Sequence, residues 1–165
     1  MGAVYRRWVA AMMRRAAPVV LLVAFPGCTT IDPGPDFQSP YAVFDADFFY
    51  CHVEPELIFQ RSCGSGDTSK GDPPNGCHFN SSVVTGMALI NHPGVACAGG
   101  NHPVDRTQIG TGSAAQGNYL AASLEMSHQY VTAPIFVRPS GSSHPRQIFA
   151  ASDIQVNQLL LTWAK

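Results

Sequence analysis

Three segments of the chain alternate apolar and polar positions with helical spacing, and the stretches between them do not. Phe44, Phe48, Cys51 and His52 fall near one face at three- and four-residue intervals, with Asp45 placed to cap the first turn. Pro55 interrupts this run, because its ring does not fit a helix interior, but it suits the first position of a new turn through Arg61. The pattern therefore predicts a kinked helix, or two short ones, over 45–62, with Cys51 on the buried side. From 114 to 130 a second helix is expected, with Tyr119, Ala122, Met126 and Tyr130 on one stripe and Leu120 and Leu124 beside it. The segment 131–145 reads as extended and turn-rich, with Ile135, Phe136 and Val137 as an apolar plug. The last helix is marked most strongly: Ser152 and Gln155 suggest a capping box, and Val156, Leu159, Leu160 and Trp163 form one buried stripe. That stripe needs a partner, and the first helix is the natural one.

Between these elements the composition changes. Residues 64–76 are almost all turn formers, so they should form an exposed loop whose ends approach each other at little entropic cost. The run 80–90 is apolar without a decisive period, and 91–102 is a second loop with Cys97 at its centre and His92 and His102 at its ends. The expected fold is mainly α: a small helical domain with long loops, stapled by a disulfide.

With 165 residues the chain is sized for one domain, and 15 Gly, 13 Pro and a charged fraction of 13% fit a loop-rich body that is too apolar for disorder. Residues 1–27 read as an export signal. Arg6, Arg7, Arg14 and Arg15 form a basic region, Ala16 to Phe25 is apolar, and Pro26 and Gly27 precede Cys28. This is the layout of a bacterial lipoprotein signal, with Cys28 lipidated and the membrane engaged through that lipid; an ordinary secretory signal cleaved nearby is the alternative. At roughly ten residues the apolar stretch falls short of the ~20 needed to span a bilayer. Residues 28–43, rich in Pro, then form a tether, and 44–165 the domain. Four of the 10 basic residues lie in the signal and none of the 11 acidic ones, which leaves six against 11 and a net −5. No basic patch is present, so nucleic acid is not expected as a partner.

The chemistry concentrates in Cys63 and Cys77-His78. Two thiols and a histidine directly after the second is the grammar of covalent haem attachment, in which both sulfurs reach the porphyrin and the imidazole reaches the iron. Here 13 residues separate the thiols where the standard motif has two, so only a loop that folds back reconciles them with one haem. The other reading is a disulfide between Cys63 and Cys77 closing that loop, the usual fate of paired cysteines in an oxidising compartment. Cys51 and Cys97 are left over under both readings and are expected to pair with each other, although other pairings among the four stay open. Gly-x-Ser-x-Gly and His-Glu-x-x-His motifs are absent, and Cys51-His52 are neighbours that a helix points in different directions, so no hydrolase is indicated. His92 and His102 flanking Cys97 could contribute to a zinc site, but no closed set of four ligands is visible.

Taken in order, Phe49-Tyr-Cys51-x-Val53-x-Pro55-x-Leu57, Cys63, Cys77-His78, Ala133-Pro-Ile-Phe-Val-Arg-Pro139 with Gly141 and His144, and Asp153 to Trp163 resemble the cytochrome c-like lipoproteins of myxobacteria and related bacteria. The resemblance covers roughly 44–165 and rests on short motifs towards its two ends. It implies crossed first and last helices, a cavity for haem c between them, and electron transfer to a partner protein of the cell envelope rather than catalysis. Under it, Cys63 and Cys77 carry the thioethers, His78 is the proximal iron ligand, and the sixth ligand is His144, with Met126 second because a Met on a helix stripe is usually core. The chain departs from the family in its thiol spacing, in Phe79 where Gly commonly follows the histidine, and in Pro145-Arg146 after His144. A haem-free, disulfide-stabilised interaction module is the rival expectation.

Overall fold

Asp45 starts the first helix as its sequence suggests: the carboxylate accepts a hydrogen bond from the Phe48 N–H at 3.0 Å. The computed structural model describes residues 43–165 apart from 74, 75, 85, 100 and 142, all within one compact unit, Pro40–Lys165. The expected signal, Cys28 and most of the tether lie outside the described residues. Helix α1 (Ala46–Phe48) runs directly into an 11-residue π-helix, Phe49–Phe59, whose bonds reach five residues back. The register persists beyond it, with Gln60 N–H to Pro55 O and Cys63 N–H to Ile58 O, both 3.0 Å. So long a π-helix is unusual. Its buried residues, Phe49, Tyr50, Val53, Glu54, Leu57 and Ile58, fall in pairs that recur at spacings of four and five, which suits this wider winding. Pro55 is therefore accommodated inside a continuous helix rather than dividing it in two, and Cys51 is half-buried rather than buried.

Strands β1 (Cys97–Ala98) and β2 (His102–Pro103) pair antiparallel, Cys97 opposite Pro103, and a disulfide joins Cys97 to Cys51. Helix α2 (Ala114–Leu124) is capped by Ser113 and ends earlier than its periodicity suggests. It buries Ala115, Asn118 and Ala122, while Leu120 and Leu124 point outward. Helix α3 (Pro134–Ser140) replaces the expected extended segment; Pro134 fits the first helical turn, Ile135 and Phe136 are buried, and Val137 is exposed.

Helix α4 (Ile154–Trp163) buries the four residues of the expected stripe, Val156, Leu159, Leu160 and Trp163. Its cap is Asp153 rather than Ser152: one carboxylate oxygen takes the N–H groups of both Gln155 and Val156 at 3.1 Å. Trp163 packs its indole at 5.2 Å from both Phe44 and Phe49, so the last helix closes on the first. The result is a small, mostly helical domain with long loops and one disulfide. No helix among the described residues is long and apolar enough to cross a membrane.

Candidate functional site

The 13 residues between Cys63 and Cys77 fold back so that their ends join. Cys77 and Phe79 donate their N–H groups to the Gly64 carbonyl at 2.9 and 3.0 Å, and His78 donates to the Cys63 carbonyl at 3.1 Å. The two thiol-bearing residues are thus brought side by side by backbone pairing. Phe79 lays its ring against Gly64; a Cβ at Gly64 would come within 2.2 Å of it. The smallest residue on one side of the junction makes room for a large one on the other.

Next to this junction is a cavity of about 300 Å³ lined by Cys77, His78 and His144, which come from distant parts of the chain. Its walls are largely apolar, formed by Val83, Val84, Met87, Ile135 and Pro139. Arg138 and Glu125 also line it and pair with each other at 3.4 Å. The cavity lies between the inter-thiol loop, the 83–87 segment and α3. It is not between the first and last helices, where the resemblance expects one; the hollow there is lined by Glu56, Gln60, Gln155, Gln158 and Thr162 together with Phe48 and Leu159, a mostly polar set.

The imidazoles of His78 and His144 have centroids 6.0 Å apart and planes within 16° of parallel. Each ring sends Nδ1 to a backbone carbonyl, His78 to Met87 at 2.6 Å and His144 to Arg146 at 2.8 Å. A carbonyl can only accept, so both Nδ1 atoms carry protons, and in the neutral rings both Nε2 atoms keep free lone pairs. A backbone carbonyl behind Nδ1 is the usual way an iron- or zinc-binding histidine is oriented. Burial pushes the His78 pKa below its ordinary value, against an opposing contribution from the Met87 carbonyl.

The two cysteines differ. Cys77 is half-buried on the cavity wall, its pKa raised by burial and by the neighbouring Asp72 carboxylate. Cys63 is buried, donates its thiol to the Leu57 carbonyl at 3.1 Å, and does not line the cavity; burial pushes its pKa to about 12. Such a thiol is inert towards ionisation near neutrality. Both are free thiols, so the Cys63 to Cys77 disulfide is absent, whereas Cys51 and Cys97 are bonded. Met126 is buried in the core and does not line the cavity. His92 and His102 turn to Glu54 and Asp47, and Cys97 is committed to its disulfide, so these three do not assemble a zinc site.

One polar cluster escapes a reading of spacing alone. Glu54 is fully buried on the π-helix, and its Oε1 accepts from His92 Nε2 and Asn118 Nδ2, both at 2.8 Å, while Oε2 has no partner. A wide helical register, not visible in the sequence, is what turns this glutamate inward. The only trace in the sequence is its place between Val53 and Leu57, both core residues.

Set against a haem held by two imidazoles and a thioether, the largely apolar wall, the two histidines and the thiol of Cys77 are the residue types required. Cys63 fits only if its sulfur leaves the core. The cavity is at the small end of the ~300–1,000 Å³ usual for ligand pockets. The chain matches no protein-family model, no curated protein and no solved structure.

Proposed function

We propose that residues 44–165 bind one haem c and carry electrons at the cell envelope, anchored through a lipid on Cys28, with a second envelope protein as redox partner. The observation that carries this reading is the pair His78 and His144, 66 positions apart in sequence, each oriented from behind by a backbone carbonyl with its Nε2 free on one apolar cavity. These two side chains would hold the iron, and Cys77 would form the thioether. Bound haem supplies reversible one-electron chemistry. What the chain itself would contribute is nitrogen ligation by His78 and His144, exclusion of water by Val84, Met87 and Ile135, and the low polarity that tunes the potential. Electron carriage, rather than catalysis, suits a cavity whose polar side chains are otherwise paired.

The test is a visible spectrum of the mature domain expressed with cytochrome c maturation machinery, followed by a haem-stained denaturing gel. A Soret band that survives denaturation, persists in Cys63→Ala and is lost from the gel in Cys77→Ala is the expected result. A colourless protein of unmodified mass sinks the reading and leaves a disulfide-stabilised interaction module.

A further inference from the structure

The segment between the thiols does more than close on itself. Asp72 lies within it, and its side chain is 4% exposed. Asp72 Oδ2 accepts from the Asp67 N–H and from Arg146 Nε, each at 2.7 Å, and the carboxylate also meets the Cys77 thiol. Arg146 is itself largely buried, at 14%, and its backbone carbonyl is the group that receives His144 Nδ1. Cys77, Asp72, Arg146 and His144 therefore form one connected series running from the loop to the segment after α3. Gly66 permits the loop to pack this way. It adopts a φ of +74°, and a Cβ there would come within 3.1 Å of both the Asp72 Cβ and the Cys77 sulfur.

We infer that the Asp72 to Arg146 ion pair is a positioning clamp for His144, and that the wide thiol spacing exists to supply its carboxylate. With two residues between the cysteines there would be no chain to reach Arg146. A buried pair is suited to this task because removal of one partner strands the other charge, so the arrangement holds as a unit or is lost as one. The clamp sets where His144 lies in the protein alone; its relevance to iron ligation rests on the haem reading above.

The experiment compares Asp72→Asn with Asp153→Asn in the full chain. Asp153 also loses an ion pair, with Arg61 at 3.0 Å, and its hydrogen bonds go to Gln155 and Val156 rather than to the 144–146 segment. In haem-free protein, nitrogen-15 NMR of the histidine side chains should show that Asp72→Asn loses the hydrogen-bonded Nδ1–H signal of His144 and its proximity to the His78 ring. Asp153→Asn should keep both even if it lowers the melting temperature as much. In haem-loaded protein, Asp72→Asn should bind carbon monoxide in the ferrous state where the wild type does not. If Asp72→Asn does not fold, the double variant Asp72→Asn with Arg146→Gln removes the stranded charge and should fold with His144 released. Retention of the His144 signal and of its contact with His78 in either variant overturns the clamp. A wild type without a Soret band sinks the haem reading instead, and the NMR comparison still decides the clamp.

Discussion

The indole Nε1 of Trp163 donates a hydrogen bond to the backbone carbonyl of Asp45 at 3.1 Å, joining the last helix of the chain to the first turn of the domain. The same carbonyl accepts the Phe49 N–H at 3.1 Å, so it keeps one partner if the indole is removed. Trp163→Phe should thus lose one hydrogen bond and some packing, about 1–2 kcal/mol, whereas Trp163→Ala should lose about 3–5 kcal/mol through the cavity it leaves between Phe44 and Phe49. Urea denaturation followed by circular dichroism would read both. Equal costs would mean that the ring's packing contributes little and the hydrogen bond dominates.

Cys51 and Cys97, 46 positions apart, close a long loop. Removing such a cross-link returns chain entropy to the unfolded state, about 4 kcal/mol for a loop of this length. Cys51→Ser with Cys97→Ser should lower the unfolding free energy by that order, and reduction of the wild type should mimic it. A double variant as stable as the parent would place the stabilisation elsewhere.

Glu54 gives the domain an unusual pH dependence. Burial raises its pKa, and the hydrogen bonds from Asn118 and His92 oppose this without offsetting it. Gly94 donates its N–H to His92 Nδ1, so His92 in its neutral form presents Nε2–H to the carboxyl group, and the unpartnered Oε2 is the natural site for a proton. With the folded pKa above the unfolded value of about 4.3, the folded state binds more protons than the unfolded one in the interval between the two. Stability from this group is fully present below the unfolded value and falls as pH rises through the folded one. Glu54→Gln should therefore gain on the wild type as pH increases from about 4 to about 8 in parallel denaturation series. A difference that stays constant with pH would show that Glu54 titrates alike in both states.

Gly64 and Phe79 are matched across the loop junction. Gly64→Ala should force the Phe79 ring aside at a cost of about 1–3 kcal/mol, the usual penalty of overpacking. Adding Phe79→Leu to that variant should recover part of the loss, as thermal melts of the single and double variants would reveal. Strict additivity of the two changes would argue that the ring does not depend on Gly64.

The helices with strong caps and a regular 3.6-residue period were legible from the chain, as Asp45 and the Val156 to Trp163 stripe show. The π-helix was not, because a four- and five-residue recurrence looks like a broken α pattern, and with it went the inward turn of Glu54. Helix α3 was hidden for a different reason: Pro134 and Pro139 bracket only four residues, too few for a period to emerge. At the site, Cys77 and His78 could be named from their motif and His144 from the resemblance, and all three line one cavity. Asp72 and Arg146 could not, since a lone acid in a Gly/Ser/Pro loop looks like an ordinary turn residue until the fold brings an arginine 74 positions away against it.

His144 lines the cavity and Met126 does not, so the haem proposal predicts different outcomes for the two. Met126→Leu keeps volume in a buried core position and should leave the visible spectrum of the haem-loaded protein unchanged. His144→Ala should open the iron to carbon monoxide and convert the low-spin spectrum to a high-spin one. A spectral change in Met126→Leu alone would reverse the assignment.

The covalent topology has a consequence for how the site comes apart. The Cys51 to Cys97 bond turns residues 51–97 into a ring that contains Cys63, Cys77 and His78, while His144 hangs on the linear tail outside it. When the tail peels away, the ring limits how far its three residues can part, whereas His144 is held only by the linear chain from Cys97 onward. The separation of His78 from His144 is thus the one distance within the site that the cross-link does not restrict.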